Sequence, residues 1–261
     1  MSSIVTDQGI VHYETYGQGS PVILLHGWLG SWNYWLDTME ALGGDYRLYA
    51  LDFWGFGDSG KRRERYLIED FVDLVDQFMS RMGIVQAPVV GHSMGGTVAL
   101  SLALSQPKRV RKVVVVGSPV VGSSLNILLQ LAGYPWIAYG VWHMPTLLRW
   151  GIRLFSPQIT REWRRWYDMQ VKDLSRTTLQ AFFTSIASLR RVDLRSNLPV
   201  LRLPVMSVNG VGDNVVNPNQ AAIIGRYVPE ARIEMMPRSR HFPMLDEPAE
   251  FNQRLNSFLK N

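Results

Sequence analysis

Residues 91–96 read Gly91-His92-Ser93-Met94-Gly95-Gly96, between the apolar run Ala87-Pro88-Val89-Val90 and the Ala- and Leu-rich stretch from Thr97 to Ser105. A short apolar run suits a buried strand, and the stretch behind it has the composition of a helix. The residues between must turn the chain sharply from one into the other. A glycine two positions either side of Ser93 is what such a turn requires, because side chains there would collide as strand and helix are brought together. The serine itself is expected in a strained backbone conformation, its hydroxyl pushed out at the carboxyl end of the strand. It would sit at a helix N-terminus, where free N–H groups and the dipole favour developing negative charge.

A serine hydroxyl is a weak nucleophile and needs a base, which in turn needs an orienting acid. Of the five histidines, His241 is the candidate base. It lies in Pro237-Arg238-Ser239-Arg240-His241-Phe242-Pro243, between the strand-like Ala231 to Met236 and a C-terminal helix beginning near Glu247. That places it at the carboxyl end of a late strand, on the same sheet edge as Ser93. His92 adjoins Ser93, but a sharp turn points adjacent side chains in different directions, so it is expected to pack behind the site. His12, in an N-terminal hairpin pattern, and His143 carry no expected role. For the acid, the strand-like Leu203 to Asn209 runs into Gly210-Val211-Gly212-Asp213-Asn214. Asp213 is the candidate; its alternative use is to close that loop as an Asx-turn. The loop after Val110 to Val116, Gly117-Ser118-Pro119, offers no carboxylate.

The order Ser93, Asp213, His241, together with the turn around Ser93, resembles the α/β-hydrolase superfamily, in its serine-nucleophile, capped, esterase-like form. The resemblance implies a catalytic triad of Ser93, Asp213 and His241. It also implies that His26-Gly27-Trp28-Leu29-Gly30 is the oxyanion loop, with the backbone N–H groups of Trp28 and Met94 as the oxyanion hole and His26, Gly27, Gly91, His92 and Gly95 as supporting positions. Leu51-Asp52-Phe53-Trp54-Gly55-Phe56-Gly57-Asp58-Ser59-Gly60 is similar to another loop of the family, and its expected role is scaffold. Its glycines are not followed by Gly-Lys-Ser/Thr, which argues against a nucleotide cradle.

Along the chain, Ile4-Val5 and Ile10 to Tyr16 flank Asp7-Gln8-Gly9 as an antiparallel hairpin. Short apolar runs near 21–26, 46–52, 87–91, 111–117, 204–209 and 231–236 read as parallel strands. Between them Leu67 to Met82 carries Leu67, Phe71, Leu74, Val75, Phe78 and Met82 on one helical face. The expected class is α/β, a doubly wound, mostly parallel sheet with the N-terminal hairpin. Residues 120–195 have helical spacing and no strand, and by the resemblance they are an inserted helical cap, with 1–119 and 196–261 as the core. This segment carries ten Lys plus Arg against four Asp plus Glu, an excess of six in a chain whose net charge is +5, so the rest is at −1. It also holds Trp136, Trp142, Trp150, Trp163 and Trp166, five of the nine tryptophans. The favoured reading is a lid with a solvated basic outside and an aromatic inside. Steering of anionic substrates or contact with a membrane surface is the less favoured one. Nucleic acid is not an expected partner, since no binding module accompanies the charge.

Ser–His–Asp chemistry is acyl transfer and calls for no metal or other cofactor. Hydrolysis of a small-molecule carboxylic ester is therefore the leading expectation. The alternatives are a carbon–carbon bond hydrolase, a menaquinone-pathway-type lyase, which His26-Gly27-Trp28-Leu29-Gly30-Ser31 loosely resembles, and a ligand-sensing signalling hydrolase. Trp28, Trp136, Trp142, Met144 and Phe155 are expected to make the pocket mainly apolar. With no cysteine, no basic-then-apolar leader at Met1 to Asp7, and an apolar stretch from Asn126 to Leu148 broken by Pro135, His143 and Pro145, the expected location is the cytoplasm.

Overall fold

In the computed structural model of the protein, which describes residues 2–62 and 65–261, the expected hairpin is β1 (Ser2–Thr6) and β2 (Gly9–Tyr16). Met1, Arg63 and Glu64 of the expected core lie outside the described residues. The apolar runs become β3 (Ser20–Leu25), β4 (Tyr46–Leu51), β5 (Ala87–His92), β6 (Val110–Val116), β7 (Val205–Gly210) and β8 (Arg232–Met236). They form one sheet in the order β1-β2-β4-β3-β5-β6-β7-β8. The β1–β2 and β2–β4 pairs are antiparallel, and every pair from β4 through β3 to β8 is parallel.

Side chains alternate across a strand, so a sheet covered on both faces needs apolar residues at every position. β5 and β7 are buried throughout. Ile23, Leu25, Val89, Val113 and Val115 join one core cluster with α2 (Ile68–Arg81) and α3 (Met94–Ser105). Val22, Leu24, Val90, Val114 and Val116 join another with α1 (Leu36–Leu42), and at the C-terminus α10 (Pro243–Asp246) and α11 (Pro248–Lys260). Helix α2 starts one residue later than its apolar pattern, because the Asp70 carboxylate accepts the Leu67 N–H at 2.8 Å and caps the helix there. Helix α9 (Gln220–Tyr227) connects β7 to β8.

The order reverses at β3, which has β4 on one side and β5 on the other. In an open α/β sheet the crevice beyond the carboxyl ends at this reversal is where ligands bind. His26 follows β3 and Ser93 follows β5, so the sheet delivers both loops to that crevice.

Residues between β6 and β7 fold as α4 (Ile127–Ala132), α5 (Pro135–Trp142), α6 (Pro145–Ile159), α7 (Trp163–Ser175) and α8 (Leu179–Leu189). The segment leaves and re-enters at one neck, where Val121 bridges Asp193 and the Gly122 N–H donates to the Val192 carbonyl at 2.7 Å. Helix α7 is tied down by a two-pronged ion pair from Arg165 to Asp37 (2.6 and 2.7 Å) and by Arg176 to Asp58 (2.7 Å). On α8, the Thr184 and Ser188 hydroxyls accept the N–H groups of Tyr66 and Ile68. The expected aromatic inside is only partly present. Trp166 is buried and Trp142 half-buried, but Trp136 and Trp150 lie open on α5 and α6. Helical spacing shows that a helix has an apolar face; it does not show how many faces find a partner. Among the described residues no helix is long and apolar enough to cross a membrane.

Candidate active site

Ser93 is one of two non-glycine residues with positive φ among those described, at φ 51°, ψ −118°. Its backbone is locked from both sides: its N–H donates to the Val116 carbonyl on β6 at 2.8 Å, and its carbonyl accepts from Gly96 at 3.0 Å. The flanking glycines behave as the sequence requires. A Cβ on Gly91 would lie 2.2 Å from the Gly95 backbone, and one on Gly95 2.5 Å from the Leu25 carbonyl, so β5, α3 and β3 touch through bare backbone. Met94 is the first residue of α3, where N–H groups have no acceptor within the helix. The dipole of a twelve-residue helix points its positive end at the Ser93 side chain.

Asp213 and His241, 28 residues apart, meet with Nδ1 and Oδ2 2.8 Å apart, both buried. The other Asp213 oxygen accepts the N–H groups of Val215 (2.8 Å) and Val216 (2.9 Å). The carboxylate thus closes its own loop and faces the imidazole, so the two uses considered for it coexist. The His241 loop is pinned by the Arg240 N–H on Asp246 (2.7 Å), the Ser239 hydroxyl on Glu247 (2.6 Å), and the His241 N–H on the Ile159 carbonyl at the end of α6 (2.9 Å). Gly117, just after β6 and at φ 54°, has its open Cβ position 3.2 Å from both Asp213 Oδ2 and His241 Nδ1. It packs against the Asp213–His241 pair, a role its place in an ordinary-looking loop does not announce.

His92 does pack behind the site. Its Nε2–H donates to the His241 carbonyl at 2.9 Å, and its ring lies 4.3 Å from Phe242 and 4.7 Å from the His241 ring, centre to centre. Burial, with the neighbouring His241, holds its pKa well below the ordinary value, so the ring stays neutral. His26 is also buried and its pKa is lowered by that burial. It accepts the Phe53 N–H at Nε2 (3.0 Å) and donates from Nδ1 to the Gly27 carbonyl (2.7 Å).

That carbonyl also accepts from Gly30 at 3.1 Å, so residues 27–30 form a tight turn. Leu29 within it has φ 57°, uncommon for a bulky residue. What holds it is a buried chain of hydrogen bonds. Gln170 on α7 donates from Nε2 to the Leu29 carbonyl (2.7 Å) and accepts the Tyr34 hydroxyl at Oε1 (2.9 Å). Neither Gln170 nor Tyr34 was among the expected site residues, because nothing local marks a glutamine as the partner of a carbonyl 141 residues away. Beside it Asp173 is buried, and burial pushes its pKa up to about 7, against a smaller opposing pull from the Ser31 hydroxyl. Trp28 donates from its indole to the Phe182 carbonyl on α8 (2.9 Å), and Phe182 also packs against Trp142. Of the five residues expected to line an apolar pocket, only Trp28 and Trp142 converge. Trp136, Met144 and Phe155 are exposed.

The scaffold expected of the Asp52 loop has more in it than its glycines. Asp52 is fully buried and accepts the N–H groups of Trp32 (2.7 Å) and Asp58 (2.9 Å) and the His12 ring (2.8 Å). His12 is therefore an anchor of this loop. Burial lowers its pKa, but the Asp52 carboxylate, with the charges of Asp58 and Glu14, outweighs that, and the net shift is upward.

The family model described as alpha/beta hydrolase fold matches residues 20–143. The chain is 28% identical over 251 residues to the dihydrolipoyllysine-residue acetyltransferase component of the acetoin cleaving system of Pseudomonas putida, covering 95% of this chain and 66% of that one. It is 27% identical over 256 residues to the pimeloyl-[acyl-carrier protein] methyl ester esterase of Nitrosomonas europaea, covering 92% and 96%. The crystal structure of the enol-lactonase from Burkholderia xenovorans LB400 superposes with a TM-score of 0.86 at 18% identity over the full length of both chains.

Proposed function

We propose, from the premise that the chain belongs to the α/β-hydrolase fold family, that it is a serine hydrolase of carboxylic esters. The observation that carries this is the buried 2.8 Å contact between Asp213 and His241; the positive φ of Ser93 at the N-terminus of α3 supports it. The Nitrosomonas relative is named for cleaving a methyl ester. In the proposed reaction Asp213 holds His241 with Nδ1 protonated, which leaves Nε2 to take the Ser93 proton as Oγ attacks the ester carbonyl. The carbonyl oxygen takes the negative charge, and the N–H groups of Trp28 and Met94 stabilise it. His241 returns the proton to the departing alcohol. Water, deprotonated by the same ring, then frees the acid and restores Ser93. We assign residues 120–195 as the cap of this enzyme and 1–119 with 196–261 as its core. Trp28, Phe182 and Trp142, stacked between loop and cap, favour a small to medium, mainly apolar substrate. A chain without cysteine loses nothing in the reducing cytoplasm, the compartment we assign.

The test is turnover of 4-nitrophenyl esters of graded acyl length beside a vinylogous 1,5-diketone. Ester turnover with no carbon–carbon cleavage is expected. Preferential cleavage of the diketone would move the assignment to a carbon–carbon hydrolase, and near-zero turnover of every ester would move it to a ligand sensor.

A further inference from the structure

Helices α4, α5 and α6 turn an apolar surface to solvent. Eleven of the nineteen large hydrophobic side chains exposed among the described residues fall between Ile127 and Phe155. They include Ile127 and Leu131 on α4, Trp136 on α5, and Leu147, Trp150 and Leu154 on α6. The three on α6 recur at i, i+3 and i+7, one stripe along the helix. Leu148, Ile152 and Ile159, half-buried, form a second stripe on the far side at 3.6 residues per turn. A helix apolar on two sides is built to be covered on both, and the protein covers one. Helices α7 and α8, by contrast, are fastened to the core by the ion pairs and hydrogen bonds described above.

Charge selects what covers the open side. Arg149 and Arg153 stand one turn apart on α6, both exposed, with Arg153 over the Tyr167 ring at 5.5 Å. The chain has no Asp or Glu between Asp76 and Glu162, so no carboxylate belongs to α4, α5 or α6. Arg161 and Arg164 extend the positive edge toward α7. A second copy of the chain docked here about a two-fold axis would set these arginines, none of them ion-paired among the described residues, against their own kind. Tryptophan and leucine beside arginine is the composition of helices that lie in a lipid headgroup layer.

We propose that the outer face of α4–α6 docks the protein on an anionic lipid surface, with Trp136, Trp150 and Leu154 entering the acyl boundary and Arg149 and Arg153 on lipid phosphates. Helix α6 ends on the loop that carries His241, through the Ile159 carbonyl, so docking holds the active-site side of the cap at the bilayer. The test is cosedimentation with vesicles of phosphatidylcholine, alone or mixed with phosphatidylglycerol, at low ionic strength. It needs no ester turnover and is independent of the function proposed above. The full-length protein should sediment with the mixed vesicles and far less with phosphatidylcholine. The triple variant Trp136→Gln/Trp150→Gln/Leu154→Gln should lose at least about tenfold in partitioning, from the apolar area it no longer inserts. Arg149→Gln/Arg153→Gln should lose about thirtyfold on mixed vesicles, from the attraction each arginine gains near an anionic surface. Both variants should keep the native circular dichroism spectrum and their turnover of a soluble short-chain ester. Wild-type protein left in the supernatant with mixed vesicles would overturn the proposal, as would undiminished binding by the triple variant. So would a wild-type dimer in sedimentation velocity that the triple variant converts to monomer, because the face would then belong to a second copy.

Discussion

Replacing Gln170 by leucine removes both ends of the hydrogen-bond chain that holds Leu29, while nearly conserving volume. The Leu29 carbonyl and the Tyr34 hydroxyl are each left buried without the partner they have now. An unpaired buried polar group costs about 1–3 kcal/mol, so with two such groups Gln170→Leu should lower the unfolding free energy by about 2–6 kcal/mol. The effect on turnover follows from backbone strain. A left-handed leucine stores about 1–2 kcal/mol, and without its anchor the 27–30 turn can relax and swing the Trp28 N–H away from the developing oxyanion. Complete loss of one such donor costs about 3–4 kcal/mol, or 10²–10³ in kcat. The expected fall lies between about tenfold and that limit, with KM little changed, because the donor acts on the transition state. Urea unfolding and steady-state hydrolysis of a 4-nitrophenyl ester read the two effects separately. Tyr34→Phe is the control. It keeps the Gln170–Leu29 bond, so kcat should stay within about threefold even though about 1–2 kcal/mol of stability is lost. A Gln170→Leu enzyme destabilised as expected but with kcat within about twofold of wild type would show that Gln170 does not position the loop for catalysis. The bonds to the Gly27 carbonyl from His26 and Gly30 would then suffice to hold the loop.

Asp213→Asn should keep the two backbone bonds at Oδ1 but lose the charge that orients and stabilises His241 as it protonates, cutting kcat by about 10⁴ by analogy with serine proteases; stopped-flow or steady-state ester hydrolysis reads it. Asp173 gives a prediction in pH. With a folded pKa of about 7 against an ordinary value of 3.8, the native state holds one proton more than the unfolded state between those values. The contribution of Asp173 to stability is therefore greatest below the lower value and falls as pH rises toward 7, by up to about 4 kcal/mol in total. Asp173→Asn should flatten that slope and raise the melting temperature at pH 8 relative to wild type, by calorimetry across the range.

Much of this fold is written in local sequence. The apolar runs that became β3, β5 and β6 are short, continuous and end in glycine or polar residues, and a parallel sheet covered on both faces leaves such runs no other place. The turn at Ser93 was legible because its steric demands fall on residues two positions away. The pairing of Asp213 with His241 was legible because both follow parallel strands, and parallel strands deliver their loops to one edge. The parts that were not legible depend on contacts across the chain. Gly117 looks like an ordinary loop glycine until the Asp213 and His241 side chains are placed against it. His12 and Asp52 are joined by strand pairing, which turns a bland histidine into an anchor. The partition of cap aromatics was missed for a related reason. Trp142 and Trp150 sit in similar apolar surroundings in the sequence, and only the packing of α5 on α8 turns one toward Phe182 and leaves the other in solvent.

In the proposed reaction one oxygen, Ser93 Oγ, carries the covalent step. Incubation with a fluorophosphonate followed by intact-mass and peptide mass spectrometry reads that step at the residue level. One adduct per chain is expected, on the peptide containing Ser93, absent in Ser93→Ala although that variant keeps the native circular dichroism spectrum and melting temperature. An adduct of equal yield on folded Ser93→Ala, or a wild-type adduct on another residue, would remove Ser93 as the nucleophile.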